Sequence, residues 1–173
     1  IFRRYDPRAR LVIVGGDPVA LATAKVATDA ELEVVLIRPK GPAEPPPVAG
    51  VRYLRDPPEA ALQSLGLDPW TAVAALSHDL ELDHEALRLA LPSTAASVGV
   101  LGSRRRIAER AARLRADRLD AADVRRLRAP IGLEIGARTP YEIAVSIVAE
   151  VVAAFRAQDS RRTWPCAEAQ AAP

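Results

Sequence analysis

Four short motifs hold the side chains best suited to chemistry: Gly15-Gly16-Asp17, Ser77-His78-Asp79, Gly102-Ser103-Arg104 and Gly136-Ala137-Arg138-Thr139. The third is the strongest anion candidate. Gly102, Ser103 and the run Arg104-Arg105-Arg106 open a helical pattern in the most basic part of the chain. Free N–H groups at a helix start and guanidinium groups both favour phosphate. The plain alternative is a solvated first turn, with Glu109 paired to Arg105 or Arg113 one turn away. Basic residues in a first turn oppose the helix dipole, which leans towards a function. His78 stands at a strand end, within reach of a ligand, although a hydrogen-bonded structural histidine is the plain reading. Asp79 either orients His78 or caps the next helix. His84 lies in a polar helix and receives no role. No Ser/His/Asp triad and no metal-ligand spacing can be named, so no catalytic or metal site is assigned.

The first motif invites comparison with the dinucleotide fingerprint G-x-G-x-x-G/A. Here the run is Gly15-Gly16-Asp17-Pro18-Val19-Ala20, and the outer positions fit. The middle position needs glycine so that the backbone can approach a pyrophosphate. Asp17 stands there instead, and its plain reading is a helix N-cap followed by proline at the first helical position. The acid expected after the second strand, which would hold a ribose, is replaced by Arg38. Arg38 tolerates a 2′-phosphate but does not restore the glycine. NAD(P) is therefore possible but disfavoured.

Regular elements must position these motifs. Strands are expected at Arg10–Gly16, Glu33–Ile37, Val51–Leu54, Thr71–Leu76 and Ala96–Leu101. Helices are expected from Pro18 to Asp29, from Asp56-Pro57-Pro58-Glu59 (the spacing of a capping box) to Leu65, from Asp83 to Leu91, and from Ser103 to Arg118. Asp120 caps a short helix after that. Thr139-Pro140-Tyr141-Glu142 has the spacing of another capping box, and Ile143, Ile147, Val151 and Phe155 form one apolar stripe beyond it. Alternating strands and helices imply a Rossmann-like doubly wound α/β sheet, mostly parallel, with helices on both faces. Ligands in such sheets lie beyond the carboxyl ends of the strands, where all four motifs should converge. Residues 1–157 are read as one domain and 158–173 as a disordered tail.

Composition sets bounds. The chain has 173 residues, 49% of them hydrophobic, but only 4% aromatic, so its core is aliphatic. Residues 101–130 hold ten arginines against four acids, a local +6 in a chain of net charge +2. Such a patch suits an anionic ligand or an acidic partner, or is a solvated helix face. Cys166 is the only cysteine, which excludes an internal disulfide framework and fits a reducing, cytoplasmic setting. No stretch reads as a membrane span, and no nucleic-acid partner is expected. Methionine is absent even at position 1, so the chain is expected to be the C-terminal part of something longer.

The blocks DPWTAVAALSHDLELDHEAL, VGVLGSRRR and APIGLEIGARTPYEIAVSIVAEV occur in that order. Together they resemble the C-terminal domain of the xanthine dehydrogenase accessory protein family, the XdhC/CoxI type, over about Leu11 to Phe155. The resemblance implies a Rossmann-like domain that binds the molybdenum cofactor (molybdopterin), a pterin carrying a phosphate. It further implies protection of that cofactor during sulfuration and delivery to a molybdenum hydroxylase such as xanthine dehydrogenase. A cysteine desulfurase partner and a homodimer are implied in the same way. The family's usual first turn is G-A-G-H-V-A, and Gly15-Gly16-Asp17-Pro18-Val19-Ala20 departs from it. Arg38-Pro39 replaces its usual acidic pair after the second strand.

The combined expectation is a cofactor-binding accessory factor and not an enzyme. Gly102, Ser103 and Arg104 would hold the phosphate, and Gly136, Arg138 and Thr139 would shape the neighbouring wall. Gly15, Gly16, His78 and Asp79 would reach the same pocket. The rivals are an NAD(P)-dependent oxidoreductase or nucleotide-binding domain, and an interaction scaffold that binds no ligand.

Overall fold

The computed structural model describes residues 8–46 and 48–161, with the side chains at 104–105 and 159–161 outside that description. The strands are β1 (Arg10–Val14), β2 (Glu33–Ile37), β3 (Val51–Leu54), β4 (Thr71–Ala75), β5 (Ser97–Val100) and β6 (Leu127–Arg128). They form one six-stranded sheet in the order β3-β2-β1-β4-β5-β6. Every pairing in it is parallel. This is the strand order of a Rossmann fold. The helices are α1 (Pro18–Asp29), α2 (Pro58–Leu65), α3 (Leu80–Ala90), α4 (Arg104–Ala116), α5 (Ala121–Arg125) and α6 (Pro140–Arg161).

Alternation along the central strands divides the core between two faces. Val12 and Val14 of β1 pack with Leu62 of α2, Leu87 of α3 and Leu114 of α4. Leu11 and Ile13 face the other way, towards Ala20, Ala24 and Ala27 of α1 and Ile147, Val151 and Phe155 of α6. Both strand faces are covered, so the strands read as unbroken apolar runs. Each fully buried Leu or Ile contributes about 1.5–3 kcal/mol. The alanine face of α1 lets α6 approach closely, which compensates for the scarcity of aromatic residues.

Several local expectations change. The helix α3 starts at Leu80, not Asp83, because Asp79 caps it by accepting from Glu81 N and Leu82 N. The capping box proposed at Asp56 does not form: Pro57 is the N-cap of α2, and Glu59 N donates to Glu85 Oε1 of α3 at 2.8 Å. β6 carries no strand pattern of its own, and it is held by pairing with β5. Beside it, Arg126 donates to the carbonyls of Leu91, Ser93 and Ala95, tying the segment to the end of α3. α6 continues to Arg161, past the boundary drawn at residue 157, and the tail from 162 to 173 lies outside the described residues.

Candidate functional site

β1 feeds β2 on one side of the sheet, and β4 feeds β5 on the other. Their carboxyl ends are the switch point where such sheets bind ligands. Gly15 leaves β1 with φ +141°, and a Cβ there would stand 2.8 Å from Leu76 O. Only glycine lets this turn pass so close to the end of β4. At Gly16 an added Cβ would collide with Arg38 Nε, so the Arg38 side chain folds back across the turn. Asp17 is the N-cap of α1, as its plain reading has it, and Oδ1 accepts from Ala20 N at 2.8 Å. Its side chain is only 10% exposed. Oδ2 has no aligned donor, although His78 Nε2 stands 2.9 Å away.

The turn after β4 is fixed from beneath. Asp83 is fully buried, and its Oδ1 accepts from Ser77 N at 3.1 Å and lies 2.8 Å from Ser77 Oγ. Its Oδ2 takes Arg110 Nη2 of α4 at 2.9 Å. Burial pushes the Asp83 carboxyl above its ordinary range, opposed by the Ser77 hydroxyl and the Arg110 charge. Asp79 proves to be a helix cap and the partner of Lys40 at 2.9 Å. The Lys40 hydrogen bond, then the Leu82 amide, hold its carboxyl below the usual range. Of the two acids Asp17 and Asp79, it is Asp17 that meets the His78 ring, whereas the sequence offered Asp79.

Two cavities flank this turn. The first, of about 360 Å³, is lined by Gly15, Gly16, Asp17, Arg38, His78 and Asp79 among others. The second, of about 380 Å³, is lined by Gly102, Ser103, Arg106 and Arg110 among others. Ser77 and His78 border both. Ser103 is the N-cap residue of α4, yet its hydroxyl makes no cap hydrogen bond. Arg110 Nε is buried without a partner. Arg104 is the first residue of α4, and its side chain lies outside the described residues.

The basic patch is partly neutralised from within. Arg110 pairs with Asp83, Arg113 with Glu81 of α3, and His84 Nε2 lies 2.5 Å from Asp117 Oδ2. Arg113 thus meets an acid on the neighbouring helix, not Glu109 of its own. Sequence reasoning missed Asp83, Arg110 and Lys40, and it named Arg106 only within the run of three arginines without singling it out. Asp83 looked like the first residue of a helix, and the arginines were indistinguishable along a uniformly basic run.

Gly136, Arg138 and Thr139 line neither cavity. Ile131 N donates to Val100 O at the end of β5, and Leu133 N donates to Ser146 O of α6. The loop then climbs α6 to its start, where Arg138 N and Thr139 N donate to Glu142 Oε2. Those backbone bonds hold the Glu142 carboxyl below its usual range. Ser146 to Thr139 is two turns of helix, roughly 10 Å at 1.5 Å per residue. This segment builds the entry to α6, and neither of the two cavities draws its lining from Gly136, Arg138 or Thr139. Leu133, Ile135, Tyr141 and Val145 are exposed along this projecting end.

Among the described residues, no group of His, Cys, Asp and Glu is arranged to hold a metal ion. No helix among them is long and apolar enough to cross a membrane.

A six-stranded parallel sheet in this strand order, with cavities at its switch point, defines the class: a Rossmann-like α/β domain. The chain belongs to the XdhC Rossmann domain family, which matches residues 11–151. It is 31% identical over 152 residues to the uncharacterized protein YqeB of Escherichia coli, covering 86% of this chain and 28% of that protein. It is 28% identical over 152 residues to a probable xanthine dehydrogenase subunit from Bacillus subtilis, covering 87% of this chain and 44% of that one. A crystal structure described as a xanthine dehydrogenase from Bacillus halodurans superposes with a TM-score of 0.73 at 29% identity, covering 93% of this chain and 46% of that chain. The chain thus spans less than half the length of these relatives.

Proposed function

We propose that this domain binds the molybdenum cofactor and assists maturation of a xanthine dehydrogenase-type molybdenum hydroxylase in a reducing cytoplasm. The observation that carries the reading is the second cavity at the start of α4. There Ser103 has an uncommitted hydroxyl, Arg106 is exposed, and Arg110 Nε is buried without a partner. A phosphate fits that donor set, because helix-start amides and guanidinium groups both favour anions. Gly102, Ser103 and Arg106 would hold the phosphate of the cofactor, with Arg104 beside them in sequence. His78, on the shared wall, would separate this end from the pterin end. When bound, the cofactor carries the redox chemistry that the client uses. This chain only holds and releases it, so its work is differential binding. Delivery to the hydroxylase, a cysteine desulfurase contact and homodimer formation belong to the same reading.

The test is equilibrium titration of the chain with molybdopterin and, separately, with NADPH. Molybdopterin should bind, inorganic phosphate should compete, and NADPH should bind weakly. A charge-assisted hydrogen bond is worth about 1.5–3 kcal/mol, so Arg106→Ala should weaken molybdopterin roughly 10- to 150-fold. NADPH binding tighter than molybdopterin would replace this reading with the oxidoreductase one. Binding of neither would leave an interaction scaffold.

A further inference from the structure

Among the described residues five large hydrophobic side chains are exposed, and four of them, Leu133, Ile135, Tyr141 and Val145, gather around the start of α6. The segment that carries them is held in place. Leu133 N donates to Ser146 O, and Arg138 N and Thr139 N donate to Glu142 Oε2. An ordered apolar surface of this kind marks a contact site, because keeping it in water costs free energy that a partner relieves.

The helix α6 carries the pattern further. Its inner side packs Ile147, Val151 and Phe155 into the core shared with α1. The outer side of such a helix is polar when it faces only water. Here it is not. Val145, Ala149 and Ala153 lie exposed at i, i+4 and i+8, which forms one ridge. Between Glu142 and Arg156 the only charged residue is Glu150, and it is spent on Gly132 N at 2.6 Å. Ala149 stands at the middle of this stretch, seven residues from Glu142 and seven from Arg156.

These features select the partner. Permanent interfaces between copies of one chain are more apolar than those between proteins that come and go. Foreign partners are selected by complementary charge, and this ridge offers none. A two-fold interface is self-complementary, so the residue on its axis meets its own copy. A small residue there lets two helices approach closely, each ridge lying in the groove of the other. We infer that the outer face of α6 docks a second copy of this chain, with Ala149 at the two-fold axis and Val145 and Ala153 on either side. Homodimer formation is part of the reading above, and the inference rests on that part alone, not on which ligand the domain holds. None of these three residues lines either cavity, so pairing and ligand binding can be read separately.

The test is sedimentation equilibrium of the chain and its Ala149→Glu and Ala149→Lys variants, alone and in equimolar mixture. Ala149 is exposed and both replacements are good helix formers, so each variant should fold, and thermal melting checks it. The contact is narrow, so the unaltered dimer should dissociate at about 1–100 μM. Each variant alone sets like charges together at the axis and should weaken the dimer roughly 100-fold or more. The mixture brings Glu against Lys and should restore pairing as a heterodimer. An unaltered chain that stays monomeric throughout that range, a dimer that survives both variants, or a mixture that stays monomeric would each overturn the inference. Molybdopterin titration of the same samples separates the two readings. Molybdopterin binding by a monomeric chain would sink the pairing and leave the cofactor reading standing. A dimer built through Ala149 that binds no molybdopterin would do the reverse.

Discussion

Replacing Asp83 by asparagine removes a charge from the most buried polar contact beneath the site. The residue is fully buried, and its Oδ2 holds Arg110, whose side chain is 11% exposed. An asparagine keeps an acceptor for Ser77 but turns its amide against the guanidinium. Breaking a buried pair by removing one partner costs about 3–5 kcal/mol. Arg110 borders a cavity and regains some hydration there, so the lower part of that range applies, about 3 kcal/mol. For a domain of this size that lowers Tm by roughly 6–12 °C, at about 2–4 °C per kcal/mol. Urea unfolding and thermal melting at neutral pH measure it. Arg110→Leu should also destabilise, and the double variant should lose less than the sum of the two. The pH sign follows from burial. The folded carboxyl titrates above its ordinary value, so between the two values the folded state binds more protons than the unfolded chain. Stability contributed by this group therefore rises as pH falls through that window. Arg110→Leu, lacking the opposing cation, should recover stability on acidification, and adding Asp83→Asn should abolish the recovery. A loss below about 1 kcal/mol in Asp83→Asn, or strict additivity in the double variant, would refute the buried-pair reasoning.

Other outcomes follow from single contacts. Gly132 has φ +108°, and a Cβ there would stand 2.5 Å from Ser146 Oγ, so Gly132→Ala should destabilise by about 1–3 kcal/mol, read by urea unfolding. Glu142→Ala should lower Tm and remove some acid sensitivity. The Glu142 carboxyl titrates below its ordinary value, so its contribution is present above the unfolded pKa and lost as pH falls through the folded one. NAD should bind weakly by calorimetry, with Asp17→Gly improving it; tight binding by the unaltered chain would contradict the argument from the turn.

The sequence by itself determined the layered architecture. Unbroken apolar runs such as Leu11–Val14 and Val34–Ile37 can only be strands covered on both faces, and helix patterns between them force parallel pairing. It also placed Asp17 as a cap and brought the Gly15, His78 and Gly102 turns to one edge, because local capping and strand-end chemistry need no distant partner. Tertiary structure alone decided the rest. β6 exists because β5 offers it an edge, and Arg126 holds it there by reaching three carbonyls more than thirty residues away. Whether Arg106, Arg110 or Arg113 faces a cavity or an acid depends on how α4 is rotated against α3, and a uniformly basic run carries no record of that rotation. The Gly136–Thr139 segment lines neither cavity because Leu133 N is bonded to Ser146 O and the loop runs back along α6 to its start, a matter of where α6 packs against α1 and the sheet that its own residues do not encode.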